Sequence, residues 1–83
     1  MYYVYILRSL KDAGHYVGMT KDIAARLNYH NKGRVRSTQS RTPLSLVYKE
    51  SFGTRLEARA REKYLKSYKG SKEKLTILEN LQC

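Results

Sequence analysis

The sequence predicts an α+β domain: a small three-stranded antiparallel sheet flanked by helices, in the order β-β-α-β-α-α. Three observations carry this. Two short aromatic-rich segments separated by a turn open the chain, a third strand-like segment lies past its middle, and the remaining periodic stretches are helical. Eighty-three residues suffice for one compact domain with a small core and are too few for two, so residues 1–83 are read as a single unit.

Tyr2 to Leu7 and His15 to Met19 are filled by β-branched and aromatic residues, and Ser9-Leu10-Lys11-Asp12-Ala13-Gly14 between them suits a hairpin loop. Thr20 or Asp22 can then cap a first helix over about residues 21 to 31, through Ile23-Ala24-Ala25-Arg26-Leu27. Gly33 is placed to end it in a left-handed conformation. Residues 32 to 42 are polar and basic with no periodicity, and read as an exposed loop. Pro43 through Phe52 shows partial apolar alternation with its proline at the entrance, as a third strand would. Thr54-Arg55-Leu56-Glu57 is a capping box opening a second and longest helix, which Gly70 can close. Ser71 can cap a last amphipathic helix through Leu75, Ile77 or Leu78, and Leu81.

Lys and Arg number 17 against 7 acids, a formal charge of +10, and the basic residues recur from Arg8 to Lys74 instead of forming a tail. A folded polyanion binder is the first expectation. No segment approaches the roughly 20 apolar residues that span a bilayer. The N-terminal apolar run stops at Arg8 and lacks the parts of a secretory signal, so a cytoplasmic protein that does not enter membranes is expected. The single cysteine, Cys83, forms neither an internal disulfide nor a zinc cluster, and its terminal place makes it a poor nucleophile.

Chemistry-bearing residues fall on three elements. Ile23 and Leu27 form an i, i+4 apolar stripe on the first helix, with Arg26 and His30 beside it, where both could point toward the hairpin. They read equally as a surface arginine and a histidine favoured by the helix C-terminus. On the second helix Glu57 is engaged by the capping box, whereas Glu62 borders a stripe running from Ala58 to Leu65. It either projects into a cleft or pairs in solvent with Arg59 or Lys66; Leu56, Ala60, Tyr64 and Tyr68 make a competing apolar stripe.

Of eight tyrosines, Tyr3, Tyr48, Tyr64 and Tyr68 are assigned by default to half-buried core or cross-strand pairs. Tyr5 and Tyr16 share a site if the hairpin register brings them to one face, and composition leaves that register open. Lys32, Arg34, Arg36 and Arg41, set among Ser37, Thr38, Ser40 and Thr42, suit phosphate binding without base readout, or form a merely solvated loop.

The order Tyr3-Val4-Tyr5, Tyr16-Val17-Gly18, Arg26-x3-His30 and Glu62 resembles the GIY-YIG nucleases, above all their small single-domain bacterial members, over nearly the whole chain. Thr38 to Tyr48, with Arg41-Thr42-Pro43 leading into Leu46-Val47-Tyr48, is also similar to those small proteins. The wording departs at Tyr3, where the family has glycine, and at Val4 and Val17, where it has isoleucine. The resemblance implies a metal-dependent DNA endonuclease or nickase, in repair or the processing of structured DNA, leaving a 5′-phosphate and a 3′-hydroxyl. By it Tyr5 and Tyr16 face the active site, Arg26 contacts the scissile phosphate, and His30 supports proton transfer. Glu62 binds one Mg²⁺ or Mn²⁺, and Gly18 allows close backbone approach; Lys32, Arg34, Arg36, Thr38 and Arg41 are expected from the loop's composition to hold the nucleic acid.

That chemistry has a physical logic. A phosphorane-like transition state needs positive charge at its oxygens, from Arg26 and a metal ion. A tyrosine with its ordinary pKa of about 10 is a poor base, so Tyr16 would need help from positive charge or from His30. With one carboxylate, the ion would keep several waters and bind weakly until substrate arrives. The main alternative is a nucleic-acid-binding module on the same scaffold, weak or inactive in turnover and acting with a partner. RNA as substrate, the preferred DNA structure, the oligomeric state and the choice of metal stay open at this point.

Overall fold

A computed structural model describes residues 1–81; Cys83 lies outside them. The elements are β1 (Tyr2–Ser9), β2 (His15–Thr20), α1 (Ile23–Asn31), β3 (Leu44–Phe52), α2 (Arg55–Lys66) and α3 (Tyr68–Leu81). The strands make one antiparallel sheet in the order β2-β1-β3, so the apolar β1 is central and the more polar segments take the edges.

Alternation along β1 sends its residues to two separate cores. Val4 and Ile6, with Val17 of β2, are buried against Ala58 and Leu65 of α2 and Leu78 of α3. Tyr5 and Leu7 face the other way, with Leu44, and α1 covers them through Ile23 and Leu27. The predicted i, i+4 stripe is therefore the packing face of α1. On α2 the stripe through Ala58 and Leu65 is the buried one. Leu56, Tyr64 and Tyr68 are exposed, Tyr68 to 88%, and the default core assignment of these two tyrosines is corrected accordingly.

Local chemistry sets the ends of the helices. Asp22 caps α1, its Oδ1 accepting from the Ala25 N–H at 3.1 Å, and Gly33 at φ +75° closes it with its N–H on the His30 carbonyl. Thr54 caps α2 as expected, its hydroxyl accepting from the Glu57 N–H, but the Glu57 carboxylate accepts from that hydroxyl where a full capping box would use the Thr54 N–H. The end of α2 differs from expectation: the helix stops at Lys66, and Gly70 lies within α3. Ser67 makes the join, its hydroxyl donating to the Tyr64 carbonyl at 2.6 Å and accepting from the Gly70 N–H at 3.1 Å. A side chain on Gly70 would collide with the Tyr64 carbonyl. That glycine serves close helix approach, where a left-handed helix stop was expected.

Two polar fastenings hold the layers together. Arg61 donates to both Glu50 oxygens on β3, at 2.8 and 3.0 Å, and also pairs with Glu73 of α3. The Tyr48 hydroxyl adds a 2.6 Å bond to Glu50, and its pKa is pushed up to about 12 by burial and then by that carboxylate. Asn31, the last residue of α1, grips the backbone of Leu44 in β3 with its amide: Oδ1 accepts the Leu44 N–H at 2.7 Å and Nδ2 donates to the Leu44 carbonyl at 3.0 Å. Among the described residues no helix is long and apolar enough to cross a membrane.

Candidate active site

The hairpin register answers the question left open by composition. Tyr5 stands opposite Gly18, and Tyr16 opposite Leu7, so both phenols rise from the face that α1 covers. Their ring centroids are 6.4 Å apart. The Tyr5 phenol passes directly over Gly18, where an added Cβ would strike its hydroxyl and the carbon that bears it. Gly18 thus makes room for a neighbouring side chain of the protein itself.

His30, on the last turn of α1, is fully buried between these rings, with centroid distances of 6.0 Å to Tyr5 and 5.1 Å to Tyr16. Its Nε2 lies 3.0 Å from the Tyr5 hydroxyl and its Nδ1 lies 2.8 Å from Thr38 Oγ1. The Thr38 hydroxyl donates to the Val35 carbonyl, which leaves it to accept from Nδ1–H, so Nε2 accepts the Tyr5 proton. Burial, then the charge of Arg26, lowers the pKa of His30 and favours this neutral form.

Tyr5 is held as a phenol. Burial raises its pKa, the Arg26 guanidinium beside its hydroxyl opposes that shift, and the nearby Tyr16 and Glu62 reinforce it. Arg26 also lies over the Tyr29 ring at 5.4 Å, and its Nε is buried with no hydrogen-bond partner among the described residues. Glu62 and Lys66, one turn apart on α2, reach the same site from the other side of β2. Lys66 Nζ sits 3.2 Å from Glu62 Oε2 and 5.4 Å from the centre of the Tyr16 ring. The Glu62 side chain is only 16% exposed. Of the two pairings expected in solvent, the structure has the one with Lys66.

Tyr5, Tyr16, Arg26, His30 and Glu62 are therefore neighbours, drawn from four elements. Help from His30 reaches Tyr5, because Tyr5 stands on the central strand opposite a glycine, while Tyr16 only packs against the imidazole edge. The basic loop divides. Lys32, Arg34 and Arg36 keep substantial exposure, with Arg34 6.0 Å from the Tyr29 ring. Thr38 is fully buried against His30, which corrects its assignment to the nucleic-acid surface: it orients the histidine. Arg41 is tied to the hairpin turn through Asp12 at 3.1 Å and packs where Gly14 has no side chain, so it stands apart from the other loop cations.

Sequence reading missed Thr38 as a histidine partner, Tyr29 as an arginine platform, and Arg61 as a fastening. The partners of Thr38 and Arg61 lie on other elements, where no local pattern marks them, whereas Tyr29 stands three residues after Arg26 on α1, an i, i+3 spacing that could have found it. Among the described residues no three His, Cys, Asp or Glu side chains converge as a metal cage. Glu62 already holds a cation in the form of the Lys66 ammonium. A divalent ion at Glu62 would have to displace that ammonium and take its remaining ligands from water and phosphate.

Residues 1–75 match the GIY-YIG catalytic domain. The chain is 39% identical over 79 residues to a UPF0213 protein of Staphylococcus saprophyticus, covering 94% of this chain and 95% of that one. It is 38% identical to a UPF0213 protein of Staphylococcus haemolyticus, with 94% of each covered. The solution NMR structure of a UPF0213 protein from Bacillus halodurans superposes with a TM-score of 0.54 at 36% identity, over 94% of this chain and 85% of that one.

Proposed function

Because the chain belongs to the GIY-YIG family, among its small UPF0213 members, we propose that it is a nucleic-acid-binding module whose phosphodiester-cleaving site turns over slowly alone and works with a partner. The observation that carries this reading is a site gathered yet closed. Arg26, Tyr5 and His30 converge on one sheet face, while Lys66 occupies the carboxylate of Glu62.

Arg26 supplies a guanidinium and an unpartnered Nε to a phosphate oxygen as negative charge develops there. Attack by water forms the new P–O bond and releases a proton, while the P–O3′ bond breaks and the leaving 3′ oxygen takes a proton from solvent to become a hydroxyl. The Tyr5 oxygen takes that proton as its own passes along the 3.0 Å bond to His30 Nε2. Thr38 keeps the imidazole in the accepting tautomer. Charging a buried imidazole beside Arg26 is costly, which limits the rate. Glu62 would hold a single divalent ion, Mg²⁺ or Mn²⁺, which when bound would add positive charge near the phosphoryl oxygens.

A second reading, an endonuclease or nickase fully competent by itself, is favoured by the buried and unpartnered Arg26 Nε, a donor left for a ligand. The two separate on incubation of supercoiled, linear and branched DNA, and of RNA, with Mg²⁺ or Mn²⁺. Slow cutting by the wild type that Arg26→Ala and Glu62→Ala abolish supports the weak site; rapid multiple turnover supports the second reading. Equal binding by all three proteins with no cutting leaves only the binding module. Cutting that survives Glu62→Ala removes the metal from that residue.

A further inference from the structure

A trough runs away from Arg26 along the sheet face that carries Tyr5. Its first part, of about 270 Å³, lies between Arg26, Tyr29 and Lys21. A second, also of about 270 Å³, shares Lys21 and continues to Tyr3 and Lys49. A third, of about 240 Å³, shares Tyr3 and Lys49 and ends at Met1 and Ser51. The strand register agrees: Lys49 stands beside Tyr5 on β1, and Ser51 beside Tyr3.

The lining alternates cations and rings. Arg26 lies over Tyr29, which is 44% exposed and which Arg34 approaches from outside the lining, and Lys21 and Lys49 follow with Tyr3 between them. Asp22 lines the first two parts of the trough and turns its Oδ1 to the start of α1 as its cap. Elsewhere Asp12 is paired to Arg41, Glu50 and Glu73 to Arg61, and Glu62 to Lys66. Arg26, Lys21 and Lys49 line the trough against the one acid Asp22, and Lys21, whose Nζ lies 5.1 Å from the Tyr2 ring, makes no ion pair among the described residues, so this face keeps net positive charge for an outside anion.

We propose that this trough holds an unpaired strand of nucleic acid, its phosphates on Lys21 and Lys49 and a base stacked against the Tyr29–arginine group. A duplex shows phosphates and groove edges but hides its base faces, so it has no use for an exposed ring set beside guanidinium groups. A single strand offers both a phosphate repeat and free base faces, and proteins that bind it combine a positive groove with aromatic platforms. The trough begins at Arg26, so the strand it holds is the one carrying the phosphate at the site. This inference rests on the reading of that site given above, and it selects substrates with a single-stranded segment next to the cut.

Binding is measured without cleavage, by fluorescence anisotropy of labelled oligo(dT) and of a matched duplex in EDTA across a salt series. Oligo(dT) is expected to bind more tightly than the duplex. Lys21→Ala with Lys49→Ala should weaken it and lower the slope of log affinity against log salt by about 1.4, roughly 0.7 for each phosphate left unneutralised on a single strand. Tyr29→Ala should weaken it about tenfold with the slope unchanged, and Tyr29→Phe should restore it. Lys63→Ala with Lys72→Ala, outside the trough, should change the slope less than the trough pair.

Equal affinity for duplex and oligo(dT) overturns the unpaired strand, as does indifference to Tyr29→Ala. An unchanged slope in the Lys21 and Lys49 variant overturns the path. Melting curves verify that each variant is folded. Since no arm uses turnover, a failure here is separate from a failure to cleave.

Discussion

The Tyr5 hydroxyl and His30 Nε2 stand 3.0 Å apart across 25 residues of sequence, inside a site where the imidazole is closed off from solvent. The other ring nitrogen is fixed by Thr38. Thr38→Val keeps the shape and removes the acceptor, leaving a buried N–H unsatisfied at a cost of about 1–3 kcal/mol. Denaturant unfolding should show that destabilisation, Thr38→Ser should avoid most of it, and any cleavage should fall with the same pattern.

Gly18→Ala should act through Tyr5. The methyl group meets the phenol in its present place, so the ring must leave His30 or the strands must part, an overpacking cost of about 1–3 kcal/mol. In a Tyr5→Leu background the same change should cost clearly less. Equal costs in the two backgrounds, measured as a double-mutant cycle, would place the effect elsewhere.

Stability should decline early on acidification. The unfolded chain takes up a proton at His30 near the ordinary value of 6.5, while the folded chain resists because of burial and Arg26. The stabilisation is complete above that value and is lost as pH falls through the lower folded one. His15 contributes in the same direction, chiefly through partial burial. Glu50, held below its ordinary 4.5 by Arg61, adds a further loss at more acidic pH. Urea midpoints at pH 7 and pH 5 should differ less in His30→Gln than in the wild type.

Lys66→Ala should bind Mn²⁺ more tightly than the wild type, by several fold, because the ion no longer displaces an ammonium from Glu62. Water proton relaxation follows this without any substrate. Glu62→Gln should abolish the difference between the two backgrounds.

Arg61→Ala should destabilise the fold by about 2 kcal/mol. It leaves Glu50 with the Tyr48 hydroxyl in place of a guanidinium, and it cuts the link from β3 to α3. The figure is set below that of a fully buried pair because the partners keep 20–43% of their side-chain exposure. A melting curve tests it, and Glu50→Gln should cost less, since it still accepts from the arginine.

Much of this arrangement is legible in the sequence, and the exceptions have a common cause. Ile23 and Leu27 announce the buried face of α1, and Arg26 and His30 follow from it by helical geometry. The facing of Tyr5 and Tyr16 needs only the hairpin register. Thr38 is hidden in a basic, aperiodic stretch because burial there is imposed by a histidine eight residues earlier, with no local apolar signal. Gly70 carries the usual mark of a helix end, yet its bare Cα is used for close packing between α2 and α3. Arg61 looks like any helix charge, since its partners, Glu50 and Glu73, lie on other elements. Patterns along the chain reveal faces; pairings between distant polar groups emerge only after folding.

The amide of Asn31 has a further effect on how this molecule meets its neighbours. β3 is an outer strand of the sheet, and the amide grips the N–H and carbonyl of its residue Leu44. By offering one donor and one acceptor, Asn31 imitates the peptide of an adjoining strand and closes that position to another chain. A residue that positions the end of α1 therefore also guards against aggregation, and Asn31→Ala would reopen the strand to self-association at high protein concentration.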